Sequence, residues 1–463
     1  MSPDRKARLP LQFIIIGGSI AGLSCACALL LAGHKVRIVE RSTAKYQLTG
    51  SIRIPPNLLR ILDGWGIGDK LSFQAPRNIL HQHRIAHTGE QVGEVVLPQR
   101  IIQDLGADAV FGSYGELYDL LFDLAVERGV EISWGSEVHS LEVHSNTAIL
   151  TSGSRVTGDI IIAADGSGSI IRRQVIDNYD RGRYRKSVLC FNIPYHMLKA
   201  EQDLSEFVAI ARWVMWMGDG CTLLANPNRT GYGITGMWDS ALDICDRHWT
   251  ELHRFDDLDF PLHKFEPIVQ RLLSFAPLLD VRCTTMVVHE AFENIVHEDQ
   301  RILLVGDAAN YLTYHGTQNV AMAVEDAATL GSLFNRLQKK SQISMMMNAY
   351  EDIRLKRAAQ IYRAETGVLE FVNMPNGPAQ EARDEAMRAA LKRQFSDWDD
   401  DDEDLDEYLR QTWEEWIHIF DYDAQETVEN WWIEWGDLMH TASDDSDSSG
   451  DPIEIAVSSV SKS

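Results

Sequence analysis

The sequence predicts an α/β fold: a Rossmann-like parallel sheet, a mixed or antiparallel sheet inserted into it, and a helical segment near the carboxyl end. Three observations support this fold class. A strand, turn, helix and strand occupy residues 13–40, a buried strand ends at Asp165-Gly166, and a second strand–turn–helix unit starts at Arg301. Short apolar runs are typical of buried parallel strands, whose crossover connections let distant segments share one sheet. We therefore expect the first domain to be discontinuous.

The first unit has the pattern of a dinucleotide-binding turn. After the apolar run Phe13–Ile16, the pair Gly17-Gly18 lets the chain turn where a side chain would clash. The helix that begins near Ser19 directs its free N–H groups and its positive dipole end at a pyrophosphate. Ser19 stands where the usual G-x-G-x-x-G pattern has its middle glycine, and Gly22 allows the helix to pack closely on the sheet.

Glu40 ends the second strand of this unit. At that spacing a carboxylate can accept hydrogen bonds from both hydroxyls of a ribose, which favours FAD or NAD over NADP. The alternative is a chance cluster of glycines in a core helix. It is disfavoured because an apolar strand precedes the turn and Glu40 follows it.

The composition excludes several classes of protein. A chain of 463 residues with 45% hydrophobic residues can bury a large core in two or three domains. Its net charge of −25 argues against nucleic acid or anionic membranes as partners, since both are bound by clustered Lys and Arg. The apolar stretch 13–33 contains the glycines of the turn, so we expect no membrane span. The six cysteines lack the spacing of a metal site or a disulfide framework, which predicts no metal and a reducing, cytoplasmic compartment.

Periodicity and composition place the remaining elements. We expect helices over 58–65, 115–128, most of 350–393 and from Val320 onward, a strand at 131–134, a hairpin at 141–151, and an antiparallel sheet within 187–237. The like-charge block at 397–404 should stay solvated, and the Ser/Asp-rich tail from Ser443 has the composition of disorder.

Three separated motifs together resemble one family. They are the Gly17 turn with Glu40, the Asp165-Gly166 turn, and Gly306–Ala309 followed by Glu325-Asp326. In this order they resemble the flavin-dependent aromatic hydroxylases, the single-component FAD monooxygenases. Local patterns at 50–57, 350–354, 375–384 and 420–424 are similar to salicylate hydroxylase-like members, especially fungal ones. The resemblance covers roughly residues 11–435.

The resemblance implies an FAD-binding fold of the glutathione reductase type, FAD as cofactor and NAD(P)H as co-substrate. It implies that oxygen reaches an aromatic or polyketide-type substrate of secondary metabolism through a flavin C4a-hydroperoxide. The expected domains are a discontinuous FAD-binding domain (10–75, 106–184 and 285–372), a substrate-binding sheet (76–105 and 185–284), a helical C-terminal segment (373–440) and an acidic tail (441–463).

The family's cofactor contacts can be placed on this sequence. Gly50 would approach the flavin, Val138 would contact the adenine through its backbone, and Asp307 would bind the ribityl chain. Backbone amides of the loop from His315 to Val320 would face the flavin ring. The full set of expected cofactor-binding residues is Gly17, Gly18, Ser19, Ala21, Gly22, Glu40, Arg41, Gly50, Tyr114, Val138, Asp165, Gly166, Asp307, Gly316, Asn319 and Val320.

This sequence departs from the family near the expected active site. Thr222 and Asn226 stand where many members carry a His and a Tyr that handle the phenolic proton, and neither can act as a base. Tyr114 replaces an arginine that contacts FAD, which removes a fixed charge. In the last loop Tyr314 replaces a proline and Asn319 replaces a glycine, although asparagine tolerates the left-handed conformation.

His315 and Tyr314 are the predicted catalytic residues. His315 would handle a proton or bond the substrate, and Tyr314 would cover the flavin ring or shape the pocket. A structural role for His315, bonded to a carbonyl, remains open. His196 and Tyr195, on an expected sheet element, are weaker candidates.

Two other functions remain open at this point. The departures leave room for a flavin-fold enzyme that catalyses a cyclisation or dehydration without oxygenation. The acidic block at 397–404 or the tail leaves room for a catalytically silent protein that binds a basic partner. The sequence leaves the substrate, the choice between NADH and NADPH, and the oligomeric state open.

Overall fold

A computed structural model describes residues 5–45, 50–176, 184–240, 251–288, 292–309, 316–394, 414 and 416–436. Tyr314, His315, the acidic block at 397–404 and the tail at 441–463 lie outside these ranges. None of the helices in the described ranges combines the length and the hydropathy needed to span a bilayer.

The strands, numbered in chain order over the described residues, are β1 (Gln12–Ile16), β2 (Lys35–Val39), β3 (Ser51–Ile54), β4 (Leu80–Ile85), β5 (Gln91–Val96), β6 (Val110–Ser113), β7 (Glu131–Ser133), β8 (Val138–Glu142), β9 (Thr147–Leu150), β10 (Arg155–Thr157), β11 (Ile160–Ala163), β12 (Tyr184–Pro194), β13 (Trp213–Gly218), β14 (Cys221–Pro227), β15 (Gly231–Trp238), β16 (Leu252–His253), β17 (Val281–Val288) and β18 (Ile302–Leu304).

The α-helices, numbered in the same way, are α1 (Ile20–Leu31), α2 (Pro56–Gly64), α3 (Gly68–Ser72), α4 (Gln99–Asp104), α5 (Tyr114–Glu127), α6 (Arg172–Val175), α7 (Tyr195–Lys199), α8 (Ser205–Ala209), α9 (Pro267–Leu273), α10 (Asn319–Phe334), α11 (Ile343–Val372), α12 (Pro378–Gln394) and α13 (Ala424–Trp431).

The first sheet is parallel throughout and has the order β18-β11-β1-β2-β7. Its central strand β1 is almost entirely buried, as expected for an apolar run without alternation, because it packs in one core with helix α1 and strands β8, β9 and β10. Helix α1 packs against α5 and α10 and is apolar on most of its circumference for the same reason. The predicted parallel sheet is confirmed, and its strands come from segments nearly 300 residues apart in the chain.

The second sheet has eight strands in the order β16-β17-β12-β15-β14-β13-β4-β5. Its neighbours are antiparallel except β4 and β13, which pair in parallel. The antiparallel strands expected within 187–237 are therefore confirmed, and segments at 80–96 and 281–288 extend the same sheet. The hairpin predicted near 141–151 belongs to the separate antiparallel sheet β10-β9-β8.

The sheet element expected at Tyr195 and His196 is wrong. Pro194 ends strand β12, and both residues open the short helix α7. Proline lacks the N–H that would continue the ladder. The Tyr195 hydroxyl donates to the carbonyl oxygen of Asn228 at 2.7 Å. Asn228 lies in the turn between β14 and β15, so Tyr195 stabilises that turn.

A buried ionic network joins helices α10 and α11. Arg354 donates to Asp326 at 2.5 Å and to Glu325 at 3.1 Å, and Arg357 donates to Glu325 at 3.0 Å. All four side chains are buried. Burial alone would raise the pKa of Glu325, but Arg357 and Arg354 hold that pKa below its usual value. The network therefore supplies the compensation that buried charges need.

The network also reaches the loops that carry sequence motifs. The second Asp326 oxygen accepts from the N–H of Gly306 at 2.8 Å, and Glu325 accepts from the Asn57 amide at 2.7 Å. From the C-terminal segment, the Tyr422 hydroxyl lies 3.2 Å from Arg354. The Gly306 turn, the start of helix α2 and the segment at Tyr422 are thus held against one pair of helices.

We predict that Arg354→Gln lowers the free energy of unfolding by about 3–5 kcal/mol, because it leaves two buried carboxylates without their shared partner. Urea unfolding at pH 7 measures this. Lys356→Gln on the same helix is the control, since Lys356 forms an exposed i,i+4 pair with Asp352 and its loss should cost less than about 1 kcal/mol. Equal losses from both variants would contradict the structural role of the network.

Candidate functional site

The turn after β1 requires glycine at two positions. Gly17 has φ of +102°, and a Cβ there would lie 2.4 Å from the carbonyl oxygen of Ala164. A Cβ on Gly22 would lie 2.0 Å from the carbonyl oxygen of Gly17. These contacts are with backbone, so no side-chain rotation can relieve them. Ser19 precedes α1 without capping it by its side chain, so the first turn of the helix presents its N–H groups outward.

Glu40 is fixed beside this turn. Its carboxylate accepts from the N–H of Gly18 at 2.7 Å and from that of Ser42 at 2.8 Å. The Glu40 carbonyl accepts from the N–H of Ser136, which brings the chain leading into Val138 next to it. Val138 is buried at the start of β8, whereas Arg41 is exposed. A carboxylate with two lone pairs still free is thereby held at the carboxyl end of β2.

The distant Gly306-Asp307 turn meets the first turn directly. Gly306 has φ of +56°, and a Cβ there would lie 2.8 Å from the Cβ of Ala21. Because the carboxyl ends of β1, β11 and β18 lie side by side, three turns separated by more than 100 residues form one edge. The structure thus brings together the motifs that the sequence showed separately.

Arg172 ties the second motif to the third. Its guanidinium donates to the carbonyl oxygens of Ala308 at 2.8 Å, Asp307 at 2.5 Å and Gly166 at 3.3 Å. The side chain is 1% exposed. A buried cation surrounded by carbonyls fixes the backbone of both turns, and sequence analysis assigned it no role.

Two carboxyl groups at this edge are partly desolvated. Burial raises the pKa of Asp307 to about 6, with Arg172 acting in the opposite direction. Burial also raises the pKa of Asp165, although hydrogen bonds from Ser169 and the N–H of Ile170 oppose the shift. One Asp165 oxygen is buried without a hydrogen-bond partner among the described residues. Polar groups left unsatisfied in this way are common where a ligand completes the site.

A cleft opens at the other end of the site. Gly50 has φ of +106°, and a Cβ there would contact the Cys190 sulfur at 3.3 Å and the Tyr114 ring at 3.4 Å. The cleft is lined by Ser51, Ile52, Arg53, Tyr114, Gly316 and Val320. Three segments predicted to surround one cofactor therefore meet there: the one after Gly50, the start of α5, and the loop that leads into α10.

Helix α10 begins at this cleft with Asn319. The N–H of Gln318, just before the helix, donates to Glu365 at 3.1 Å, and a Cβ on Gly316 would lie 2.3 Å from the other oxygen of Glu365. Asn319 is the first helical residue and has a negative φ, so the left-handed conformation considered for it is not used.

Thr222 and Asn226, the two sheet positions at which the sequence departs from the family it resembles, form hydrogen bonds within the protein. The Thr222 hydroxyl donates to the carbonyl oxygen of Val372 at 3.1 Å, which holds the end of α11 on the sheet. The Asn226 amide donates to the Ser51 hydroxyl at 2.6 Å and joins the sheet to β3. Both residues are buried and neither is a base, so no proton-handling side chain stands at these two positions.

Sequence analysis missed a group of polar residues on the facing sheet and on β3. Arg53 lines the cleft, with its guanidinium 3.9 Å from the centre of the Trp213 ring. His81 and His83 on β4 are buried, and desolvation lowers their pKa values to about 3 and about 4. The available signal was a charged residue inside the otherwise apolar strand β3 and two histidines at i, i+2 on one strand.

The residues present fit an FAD molecule. The tight turn between β1 and α1 leaves the first N–H groups of α1 without a side-chain cap, Glu40 is held beside that turn, and Asp307 has a desolvated carboxyl at the same edge. The predicted catalytic pair, His315 and Tyr314, lies outside the described residues.

Comparison with known proteins agrees with this geometry. Residues 11–216 match the profile of the family described as FAD binding domain. The chain is 25% identical over 402 residues to the FAD-dependent monooxygenase OpS4 of Beauveria bassiana (strain ARSEF 2860), covering 84% of this chain and 91% of that protein. It is 26% identical to the FAD-dependent monooxygenase atnJ of Arthrinium sp, covering 82% and 89%. The solved structure of a salicylate hydroxylase substrate complex superposes with a TM-score of 0.65 at 19% identity, covering 91% and 97%.

We predict that Gly22→Ala raises the dissociation constant for FAD by about tenfold or more, because the added Cβ forces α1 away from the Gly17 carbonyl at a cost of about 1–3 kcal/mol. Titration of flavin-free protein with FAD, followed by flavin fluorescence, measures this. Gly367→Ala within α11 is the control, because a Cβ there meets nothing within 4 Å. Unchanged FAD binding in Gly22→Ala would show that the turn is not the cofactor cradle.

We predict a pH-dependent gain in stability for flavin-free Asp307→Asn. A carboxyl whose pKa is raised on folding destabilises the folded state as pH rises from the unfolded pKa through the folded one. The gain of the variant over the native protein should therefore be larger at pH 7.5 than at pH 5, by roughly 1 kcal/mol. Urea unfolding at both pH values measures the gain, and a pH-independent difference would contradict the raised pKa.

Proposed function

We propose that the chain is an FAD-dependent monooxygenase of the salicylate hydroxylase-like type, and that it uses NAD(P)H and oxygen to hydroxylate or otherwise oxidise an aromatic or polyketide-type small molecule. The observation that carries the proposal is the contact of the Gly306 turn with Ala21 of the first turn. It makes one continuous binding edge from motifs that occur together in this family. The relatives OpS4 and atnJ, both named FAD-dependent monooxygenases, support the reaction type, and the role in secondary metabolism is part of the proposal.

Bound FAD would supply the redox chemistry and the activation of oxygen, so the chain's own residues bind, orient and exclude water. We propose that the turn at Gly17–Gly22 receives the pyrophosphate and that Glu40 receives the ribose. Asp307 would hold the ribityl chain. Gly50 and Val320 would border the ring system in the cleft, where the positive end of the α10 dipole favours negative charge.

The sheet face next to the cleft suits an aromatic substrate. Trp213, Met215 and Leu224 form a buried apolar cluster with the end of helix α11. Thioether side chains adapt to varied ring shapes, and an apolar lining excludes water from the reacting centre. We propose that this cluster, which Trp213 connects to Arg53 of the cleft, borders an aromatic or polyketide-type substrate.

Proton handling is assigned to the loop before α10. His81 and His83 are neutral at pH 7, and their low pKa values make them poor general bases. We therefore retain His315 as the proposed proton handler and Tyr314 as the proposed cover of the ring system. Thr222 and Asn226 support this division of roles because both side chains are engaged in hydrogen bonds within the protein.

Three further assignments accompany this function: the domain division, the location and the partners. We propose the domain division given above, supported by the second sheet drawing its strands from segments near 80–96 and 184–288. We also propose a reducing, cytoplasmic location, supported by the cysteines of the described residues, which are free and buried. Small aromatic molecules are the proposed partners.

The test is the fate of oxygen. The purified protein should be yellow. NADH or NADPH should bleach its visible absorption faster when a suitable phenol or polyketide is present. Mass spectrometry should then detect ¹⁸O from ¹⁸O₂ in the product. Gly22→Ala, stripped of flavin, is the matched control and should not support turnover.

Two outcomes would replace the proposal. Turnover under nitrogen without nicotinamide would identify a non-oxygenating cyclase or dehydratase. Purification without flavin, in tight complex with a basic protein, would identify an interaction protein.

A further inference from the structure

Arg53 is placed inside the cleft by the alternation of strand β3. Residues 51 and 53 of a strand share a face, and Ser51 on that face bonds Asn226 of the second sheet. Arg53 follows the same direction and lies over Trp213, the first residue of β13. Arg53 is 6% exposed and lines the cleft together with Tyr114 and Gly316.

The contacts of Arg53 occupy only part of its guanidinium. The Nε atom donates to the Thr317 hydroxyl at 3.1 Å, and the planar group stacks 3.9 Å from the centre of the Trp213 ring. The two terminal nitrogens have no hydrogen-bonded partner among the described residues, and no carboxylate there lies within ion-pair distance of them. Glu365 acts on Arg53 only through space, and one of its oxygens already accepts from Gln318.

Three other buried arginines, Arg354, Arg357 and Arg172, have their donors paired within the protein. Arg354 and Arg357 share the carboxylates of Glu325 and Asp326, and Arg172 is surrounded by backbone carbonyls. Burying a guanidinium is expensive unless its donors are paired. The same fold that pairs these groups leaves the terminal nitrogens of Arg53 facing a cleft, which indicates a partner supplied from outside the chain.

We propose that Arg53, stacked on Trp213, binds the anionic oxygens of the substrate, and that the substrate is an acidic aromatic molecule bearing a carboxylate or an ionised phenol or enol. This inference rests on the proposed function. A guanidinium offers two parallel N–H donors, the geometry that a planar carboxylate or a pair of adjacent oxygens accepts. The Thr317 bond and the Trp213 ring hold that fork in one orientation before binding.

The proposal accounts for the missing proton chemistry of the sheet. Thr222 and Asn226 provide no base for a phenol, whereas a fixed positive charge favours the ionised form of an acidic substrate. An ionised ring is the more nucleophilic one. Arg53 thus selects, by its charge, a substrate that needs less help from a general base. Burial lowers the Arg53 pKa to about 10, and the group remains charged at neutral pH.

The experiment measures binding of two matched probe pairs to the FAD-loaded protein without NAD(P)H. Benzoate is compared with benzamide, and 2-naphthoate with 2-naphthamide, by perturbation of the flavin absorption and by tryptophan fluorescence at pH 7.5. We expect the native protein to bind each acid about tenfold or more tightly than its amide. Arg53→Gln should reduce the preference to less than about twofold, and Arg53→Lys should retain part of it because a point charge lacks the fork.

Controls separate this role from folding and from cofactor binding. Arg388→Gln removes an equal charge from an exposed pair with Glu90 and should leave the preference unchanged. If Arg53→Gln does not fold, Thr317→Val removes the bond that orients Nε and should lower the preference severalfold. Absent or equal binding of acid and amide by the native protein overturns the proposal. The proposal is also overturned if Arg53→Gln keeps the preference for acids. The same holds if Arg53→Gln loses FAD and tryptophan fluorescence still shows that preference.

The proposed function can fail while the anion site at Arg53 is upheld. An Arg53-dependent preference for acids, found in a protein that inserts no oxygen from ¹⁸O₂, would leave the anion site in place and remove the oxygenase.

Discussion

The ion pairs between helices α10 and α11 are the constraint on which the site depends. Glu325 and Asp326 are held by Arg354 and Arg357 in the protein interior. Glu325 also accepts from Asn57 at the start of α2, and Asp326 accepts from the N–H of Gly306. Through Asp326 the network positions the Gly306 turn. Because desolvated charges tolerate little displacement, these contacts fix the edge of the site more rigidly than apolar packing alone would.

This arrangement gives physical meaning to motifs that serve no chemical step. The Asn57 amide, Arg354 and Tyr422 come from three patterns shared with salicylate hydroxylase-like proteins, and all three end on this network. Arg172 joins the Asp165-Gly166 turn to the Gly306–Ala309 turn, because it donates to the carbonyl oxygens of Gly166 and Ala308. Much of the sequence pattern behind the resemblance therefore belongs to the framework that aligns the turns of the FAD site.

The site itself departs from the rule of full satisfaction. Asp307 has a raised pKa, one Asp165 oxygen lacks a partner among the described residues, and the terminal nitrogens of Arg53 face the cleft. Each costs stability in the free protein. The contrast between paired charges in the framework and unpaired ones along the cleft separates what maintains the fold from what binds a ligand.

The sequence by itself determined the parallel sheet, the glycine turn, the position of Glu40 and the helix entered near Val320, because these follow from local periodicity and from backbone conformations that only certain residues adopt. Tertiary structure alone decided that Asn57 bonds Glu325, 268 positions away, and that Arg53 lies over Trp213. It also made Tyr195 a helix residue rather than part of the sheet. Such contacts depend on which faces of distant elements meet, and a local pattern specifies a face without specifying its partner.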